Sequence, residues 1–267
     1  AHWRLRRDLG RQKTILRQQV ERLFPELSQV FKDLTALTAS ALLKHHAQPT
    51  VIAILSWESF VKAVRADFSG KRLMVKKLHE VYQIAPQSIG IRDGTALQRL
   101  IRQQLATITL IQWQIEELEE ALLEQFLQLP SAPYLLSLRL GPVSTALIAA
   151  ELGDPRHFRN ANQIVKLAGI QPTPKQSGQR ERSRTPMSHK GRPRLRTYLF
   201  YASMRLIRWD KTFAASHKRY VYRKRRPLKR LEAVGVMMNK LLRLFWALSN
   251  NKTVYDPQRL LDSRPSL

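Results

Sequence analysis

The sequence predicts a mainly α fold, and three observations carry that expectation. Apolar residues recur at every third or fourth position along most of the chain. No alternating run bounded by turn residues marks a strand, and no strand–helix–strand rhythm is present. The longest periodic stretch, 95–129, holds spacings of four and three throughout. The expected architecture is a helical segment at 1–94 and a helical coiled-coil region at 95–130. A helical domain at 131–255 follows, with a helix-hairpin-helix-like motif and a long basic loop, and then a tail at 256–267.

Residues 4–24 read as one helix, because Leu5, Leu9, Leu16, Val20 and Leu23 share one side while Arg4, Arg7, Arg11 and Arg22 share another. Pro25 ends it. An arginine stripe of this kind is either a solvated face or a nucleic-acid contact. Shorter helices follow, interrupted at Pro49, Ser69-Gly70 and Pro86. Leu97, Ile101, Ile108, Ile111, Ile115, Leu118 and Leu122 then form a heptad seam, with Gln104 as a polar member able to fix register. The seam is expected to pair with a second copy as a coiled-coil homo-oligomer; the alternative is an intramolecular hairpin with the earlier helices. Leu129-Pro130-Ser131-Ala132-Pro133 breaks the pattern and suits a linker. Val234, Met237, Met238, Leu241, Leu242, Phe245 and Leu248 make the apolar face of the last helix and read as core.

Charge narrows the function. The 267 residues carry 46 Lys and Arg against 20 Asp and Glu, a net charge of +26. Through Pro130 there are 18 basic and 13 acidic residues, net +5; from Ser131 onward there are 28 and 7, net +21. Such a field attracts polyanions, since each neutralised phosphate releases condensed counterions. A membrane surface is the competing polyanion. No apolar run approaches the roughly 20 residues that span a bilayer, and no signal peptide is present. DNA or RNA is the expected partner and a membrane is not. With no cysteine, disulfides, thiolate zinc sites and cysteine nucleophiles are excluded, and a cytoplasmic, nucleoid-associated location is expected. The hydrophobic fraction of 43% is enough for a real core. The chain opens Ala1-His2-Trp3 and its first methionine is Met74, which points to a processed start or to the downstream portion of a longer reading frame.

Two stretches carry chemistry. Leu135-Leu136-Ser137-Leu138-Arg139-Leu140-Gly141-Pro142, continued through Ala146, resembles a helix-hairpin-helix. Gly141 permits the sharp turn, and backbone N–H groups at the following helix start can face a phosphate. Arg139 stands where such hairpins usually have their first glycine, which loosens the expected turn but offers a phosphate contact. The second stretch, 158–196, contains Gly169-Ile170-Gln171-Pro172, then Ser177-Gly178, then Ser188-His189-Lys190-Gly191. Pro172, Pro174, Gly178 and Pro186 exclude regular helix there. Lys175, Arg180, Arg182, Arg184 and Lys190 line this long loop, and Arg192, Arg194 and Arg196 follow it. A long, cationic, serine-containing loop between helices is either a phosphate grip or an active-site loop, and composition alone favours the grip. Further on, Tyr198, Tyr201, Trp209, Tyr220 and Tyr222 alternate with cations, including the run Arg223-Lys224-Arg225-Arg226. Aromatics among cations suit nucleotide stacking, and several of them suit helix packing equally.

Taken in order, hairpin, G-I-x-P, S-G and S-x-K-G-x-x-x-L-R resemble, over 135–251, the C-terminal domain of bacterial insertion-sequence transposases of the "IS-one-ten" type. The resemblance implies a composite recombinase. Four carboxylates of an RNase H-like DEDD domain hold Mg²⁺, and a serine of the C-terminal domain attacks the scissile phosphodiester. A structured guide RNA directs the reaction. Carried over by position, Ser177 is the nucleophile and Ser188 its alternative, while Gly178 allows close backbone approach and His189 could shuttle a proton. No Mg²⁺ carboxylate set is recognisable here: the clustered acids Glu116, Glu117, Glu119 and Glu120 sit on the heptad helix. The expectation is therefore no cofactor or metal site in this chain, Mg²⁺ in the parent enzyme, and a truncated copy without the DEDD domain. The other class of function is a non-catalytic helix-hairpin-helix protein that binds DNA or RNA architecturally.

Overall fold

The computed structural model describes residues 1–70, 72–172 and 187–258. The protein is mainly α: among the described residues the only strand-like pairing is one antiparallel bridge between Pro172 and Met187. It divides into two compact units, Ala1–Leu118 and Glu119–Leu267.

The first unit begins with α1 (His2–Leu23), which buries Leu9, Leu16, Val20 and Leu23. Its opposite face exposes Arg4, Arg7, Arg11 and Arg22, as the pattern requires. Short helices α2 (Leu27–Val30), α3 (Leu37–His45), α4 (Pro49–Ile54), α5 (Trp57–Ala66) and α6 (Val75–Ile84) wrap the same core. Pro49 sits in the first turn of α4, where its missing N–H costs nothing. A tight turn follows α6, and Glu26 fastens the loop beyond it. The Ser88 hydroxyl donates to Glu26 Oε2 at 2.7 Å, and the Ile89 N–H donates to Oε1 at 3.1 Å. Burial pushes the Glu26 carboxyl up, but these bonds favour the charged form more strongly and hold it below its ordinary range.

The long helix α7 (Thr95–Leu127) carries the heptad seam. Ile101, Ile108, Ile111 and Ile115 are buried with Leu105 in the first unit's core, together with Leu9, Leu16 and Val20 of α1. Gln104 Nε2 donates to Gln12 Oε1 at 2.6 Å, so the polar seam residue meets α1 of the same chain. The expected pairing with a second copy is thus corrected over 101–115, where the chain's own helices fill the seam. The division between units falls after Leu118, inside α7 and ahead of the Pro-rich break.

In the second unit, α8 (Ala132–Leu136), α10 (Ala161–Ala168), α11 (Pro193–Trp209) and α12 (Lys211–Tyr222) pack on α13 (Arg230–Asn251), while α9 (Pro142–Leu152) packs on α11 and α8. The α13 residues Met237, Leu241, Leu242 and Phe245 are fully buried, with Leu135, Ile148, Ile164, Leu199 and Phe213 among the side chains of that core. Burying this many large apolar side chains, at about 1.5–3 kcal/mol each, drives the unit's assembly. No described helix is long and apolar enough to cross a membrane.

Candidate nucleic-acid interface

A tight turn over 137–141 joins the short α8 to α9. Arg139 takes φ +54° and Gly141 takes φ +89°, so both turn the chain through the left-handed half of backbone space. Arg139 thus adopts the backbone that a glycine would supply, and its side chain is exposed. Gly141 then caps α9, with Pro142 in the first turn and the Thr145 hydroxyl donating to the Gly141 carbonyl at 3.0 Å. The Arg205 guanidinium of α11 lies 3.9 Å from where a Cβ on Gly141 would stand. Two arginines therefore flank the start of α9, and only Arg139 was a site residue in the sequence. Arg205 lies far along the chain and reaches the turn through packing of α9 on α11, a signal no local pattern carries.

The second cluster is the base of the basic loop. Asn160 caps α10, its side chain accepting from the Asn162 and Gln163 N–H groups. Arg243 Nη2 donates to Asn162 Oδ1 at 2.6 Å and Trp246 Nε1 to the Phe158 carbonyl at 3.0 Å, tying the segment to α13. Gly169 ends α10 at φ +66°. The returning chain then runs alongside: the Ser188 N–H donates to the Gln171 carbonyl at 2.9 Å, His189 N–H to Gly169 at 3.0 Å, and Arg192 N–H to Leu167 at 2.9 Å. A Cβ on Gly191 would lie 2.4 Å from the Leu167 carbonyl oxygen and 2.5 Å from the Gly169 nitrogen. Two glycines separated by the whole loop are thus pressed backbone to backbone. The G-I-x-P and S-x-K-G motifs, separate in sequence, form one clasp.

Ser188 sits half-buried in that clasp, with His189 exposed at φ +53°. Lys190, Arg192 and Arg194 are exposed around it. Arg196 Nη1 donates to the Ala168 carbonyl at 3.0 Å, and Arg192 Nη1 donates to the Glu151 carbonyl, so both guanidinium groups also brace the clasp. Ser177, Lys175, Gly178, Arg180, Arg182 and Arg184 lie outside the described residues.

Asp154 is neutralised locally: the Arg156 side chain donates to it at 2.7 Å and holds its carboxyl below the usual range. Burial, with Arg219 nearby, lowers the Lys240 ammonium. Among the described residues no three His, Asp or Glu side chains come together as a group that could hold a metal ion.

Residues 138–218, which span the turn before α9, the loop and α11, match the family model of the transposase IS116/IS110/IS902 family. Two curated relatives agree. One, from Pseudomonas aeruginosa and named as a probable family 20 transposase, is 33% identical over 120 residues, covering 44% of this chain and 35% of the relative. Another, from Sinorhizobium fredii and named as the transposase y4rJ, is 32% identical over 130 residues, covering 48% of this chain and 32% of the relative. The chain thus spans about a third of the length of the curated relatives it matches.

Proposed function

We propose that the second unit is the DNA-gripping, serine-bearing part of an insertion-sequence transposase that cleaves and rejoins DNA. The family match carries this reading, because its bounds, 138–218, take in the turn before α9, the clasp and the loop that contains the candidate serines. Arg139, Lys190, Arg192 and Arg194, with Lys175, Arg180, Arg182 and Arg184 of the loop, hold backbone phosphates. Such contacts position DNA without reading its sequence. The Ser177 hydroxyl oxygen attacks phosphorus: the Oγ–P bond forms, a P–O bond of the DNA backbone breaks, and the departing hydroxyl takes a proton as serine loses one. The phosphoserine ester keeps the bond energy for rejoining. Ser188 is the rival nucleophile, with His189 beside it as the proton carrier.

Among the described residues no cluster of His, Asp or Glu could hold Mg²⁺. In this proposal its carboxylates belong to the nuclease-like domain that the resemblance implies. A structured guide RNA is the second polyanion expected on these cations. Joining two DNA ends also calls for a two-copy assembly. Its contact uses a surface other than α7 residues 101–115, which the first unit's own core occupies.

The test joins residues 1–267 to the nuclease-like domain and supplies guide RNA, Mg²⁺, donor and target DNA. Covalent protein–DNA adducts are scored on a denaturing gel. Ser177→Ala should abolish adducts while leaving DNA affinity within about twofold, since gripping needs cations and N–H groups rather than the hydroxyl. Adducts lost only in Ser188→Ala would move the nucleophile to Ser188. Adducts surviving in both variants would end the serine mechanism and leave the architectural DNA-binding alternative.

A further inference from the structure

The open groove between α9 and α11 has the composition of a nucleotide-stacking site. It encloses about 540 Å³ and is lined by Ser144 and Leu147 of α9 and by Tyr198, Tyr201, Arg205 and Trp209 of α11, with Arg208 at its edge. Tyr198, Tyr201, Arg205 and Arg208 fall at successive helical spacings of three and four, so one face of α11 alternates ring, ring, cation, cation. Trp209 is 73% exposed and Tyr201 67%, in a unit that buries Phe213 and Phe245 completely. Large rings are thus available here although the unit has a core that takes them elsewhere. The Arg208 guanidinium lies 5.2 Å over the Trp209 ring, and Arg205 reaches the hairpin turn at Gly141. The groove therefore joins the arginine-flanked start of α9 to a row of flat apolar surfaces.

Charge decides the occupant. A second copy of this surface would bring arginine against arginine, and an apolar peptide would leave Arg205 and Arg208 without partners. A paired duplex presents phosphates but keeps its base faces stacked on one another. Unpaired nucleotides offer both phosphates for the arginines and free base faces for the rings. From this we infer that the α9–α11 groove binds unpaired nucleotides of a DNA strand opened next to the phosphates held at the hairpin. The inference rests on the DNA-binding reading above and adds to it where melted DNA is held.

The experiment titrates the whole chain with labelled oligo-dT of about 12 nucleotides, with oligo-U of the same length, and with a duplex of that length. Trp209→Ala and Tyr201→Ala should each weaken oligo-dT binding about tenfold, a stacked base's usual contribution. Duplex affinity should stay within about twofold, and the salt dependence should be unchanged, because no charge is removed. Trp209→Phe and Tyr201→Phe keep a flat ring and should bind oligo-dT within about threefold of the parent. Helical circular dichroism equal to the parent's certifies each fold. Unchanged oligo-dT binding in both alanine variants overturns the groove while leaving DNA binding intact, as does an equal loss on duplex. Ring-dependent binding that prefers oligo-U over oligo-dT overturns the assignment to DNA. A parent chain that binds none of the three probes overturns the DNA-binding reading itself.

Discussion

Arg139 occupies a backbone conformation in which a side chain is a burden, at φ +54° in the hairpin. For an L-residue the left-handed region costs roughly 1–2 kcal/mol, and glycine recovers part of that at the expense of a more flexible unfolded chain. Arg139→Gly should therefore raise stability by about 0.5–1 kcal/mol, read as a higher urea midpoint with an unchanged slope. The same change removes an exposed cation from the start of α9 and should weaken DNA binding about fivefold. Opposite signs in the two measurements are the signature of a residue kept for binding against its own backbone preference. A variant that loses stability as well would mean the Arg139 side chain supports the turn, and its role as a phosphate contact would lose its main argument. The contrast with Gly141, at φ +89° two residues on, makes the point sharper: one position of the hairpin has the residue its geometry asks for and the other does not.

At the scale of elements, α7 shows what a periodic pattern can and cannot tell. The seam at Ile101, Ile108, Ile111 and Ile115 reads the same whether a second copy or α1 lies across it, because both present an apolar helix face. The structure puts α1 there, with Gln104 bonded to Gln12. Ile108, 1% exposed, is then a core residue of the first unit, and Ile108→Asp should destabilise that unit by at least about 3 kcal/mol through an unpaired buried charge. Thermal melting followed by helical circular dichroism should show this. If the variant instead melts like the parent and only changes its sedimentation, the seam belongs to an assembly of two chains. The helical class, the α1 arginine face, the long α7 and the α13 core stripe were legible, since each is set within a few turns of local sequence. The clasp was not, because Gly169 and Gly191 meet only once the loop between them closes, and nothing local marks the two as partners. Arg205 beside Gly141 escaped for the same reason. The roles of Arg192 and Arg196 were legible as charge but not as braces, since the carbonyls they reach lie on α9 and α10.

For the molecule as a whole, charge is the property that separates the two units. Residues 1–118 hold 18 basic and 10 acidic side chains, net +8, while residues 119–267 hold 28 and 10, net +18. Net charge alone does not locate the phosphates, since Arg4, Arg7, Arg11 and Arg22 of α1 are exposed, as are Arg192 and Arg194 of the second unit. Salt dependence does locate them, because each neutralised phosphate contributes about 0.9 to the slope of log K against log salt. Two four-residue replacements in the whole chain make the comparison. One changes Arg223, Lys224, Arg225 and Arg226 to glutamine, in the turn between α12 and α13, where the Arg223 Nε–H donates to the Arg226 carbonyl at 2.6 Å. The other changes Arg4, Arg7, Arg11 and Arg22 to glutamine. Both remove the same formal charge, so a purely diffuse attraction would flatten the two slopes alike. If the second unit grips the DNA, the turn replacement should lower the duplex-binding slope by about 3 and the α1 replacement by less than about 1. Equal flattening would mean that phosphates are held along α1 as well, and the assignment of DNA binding to the second unit alone would fail.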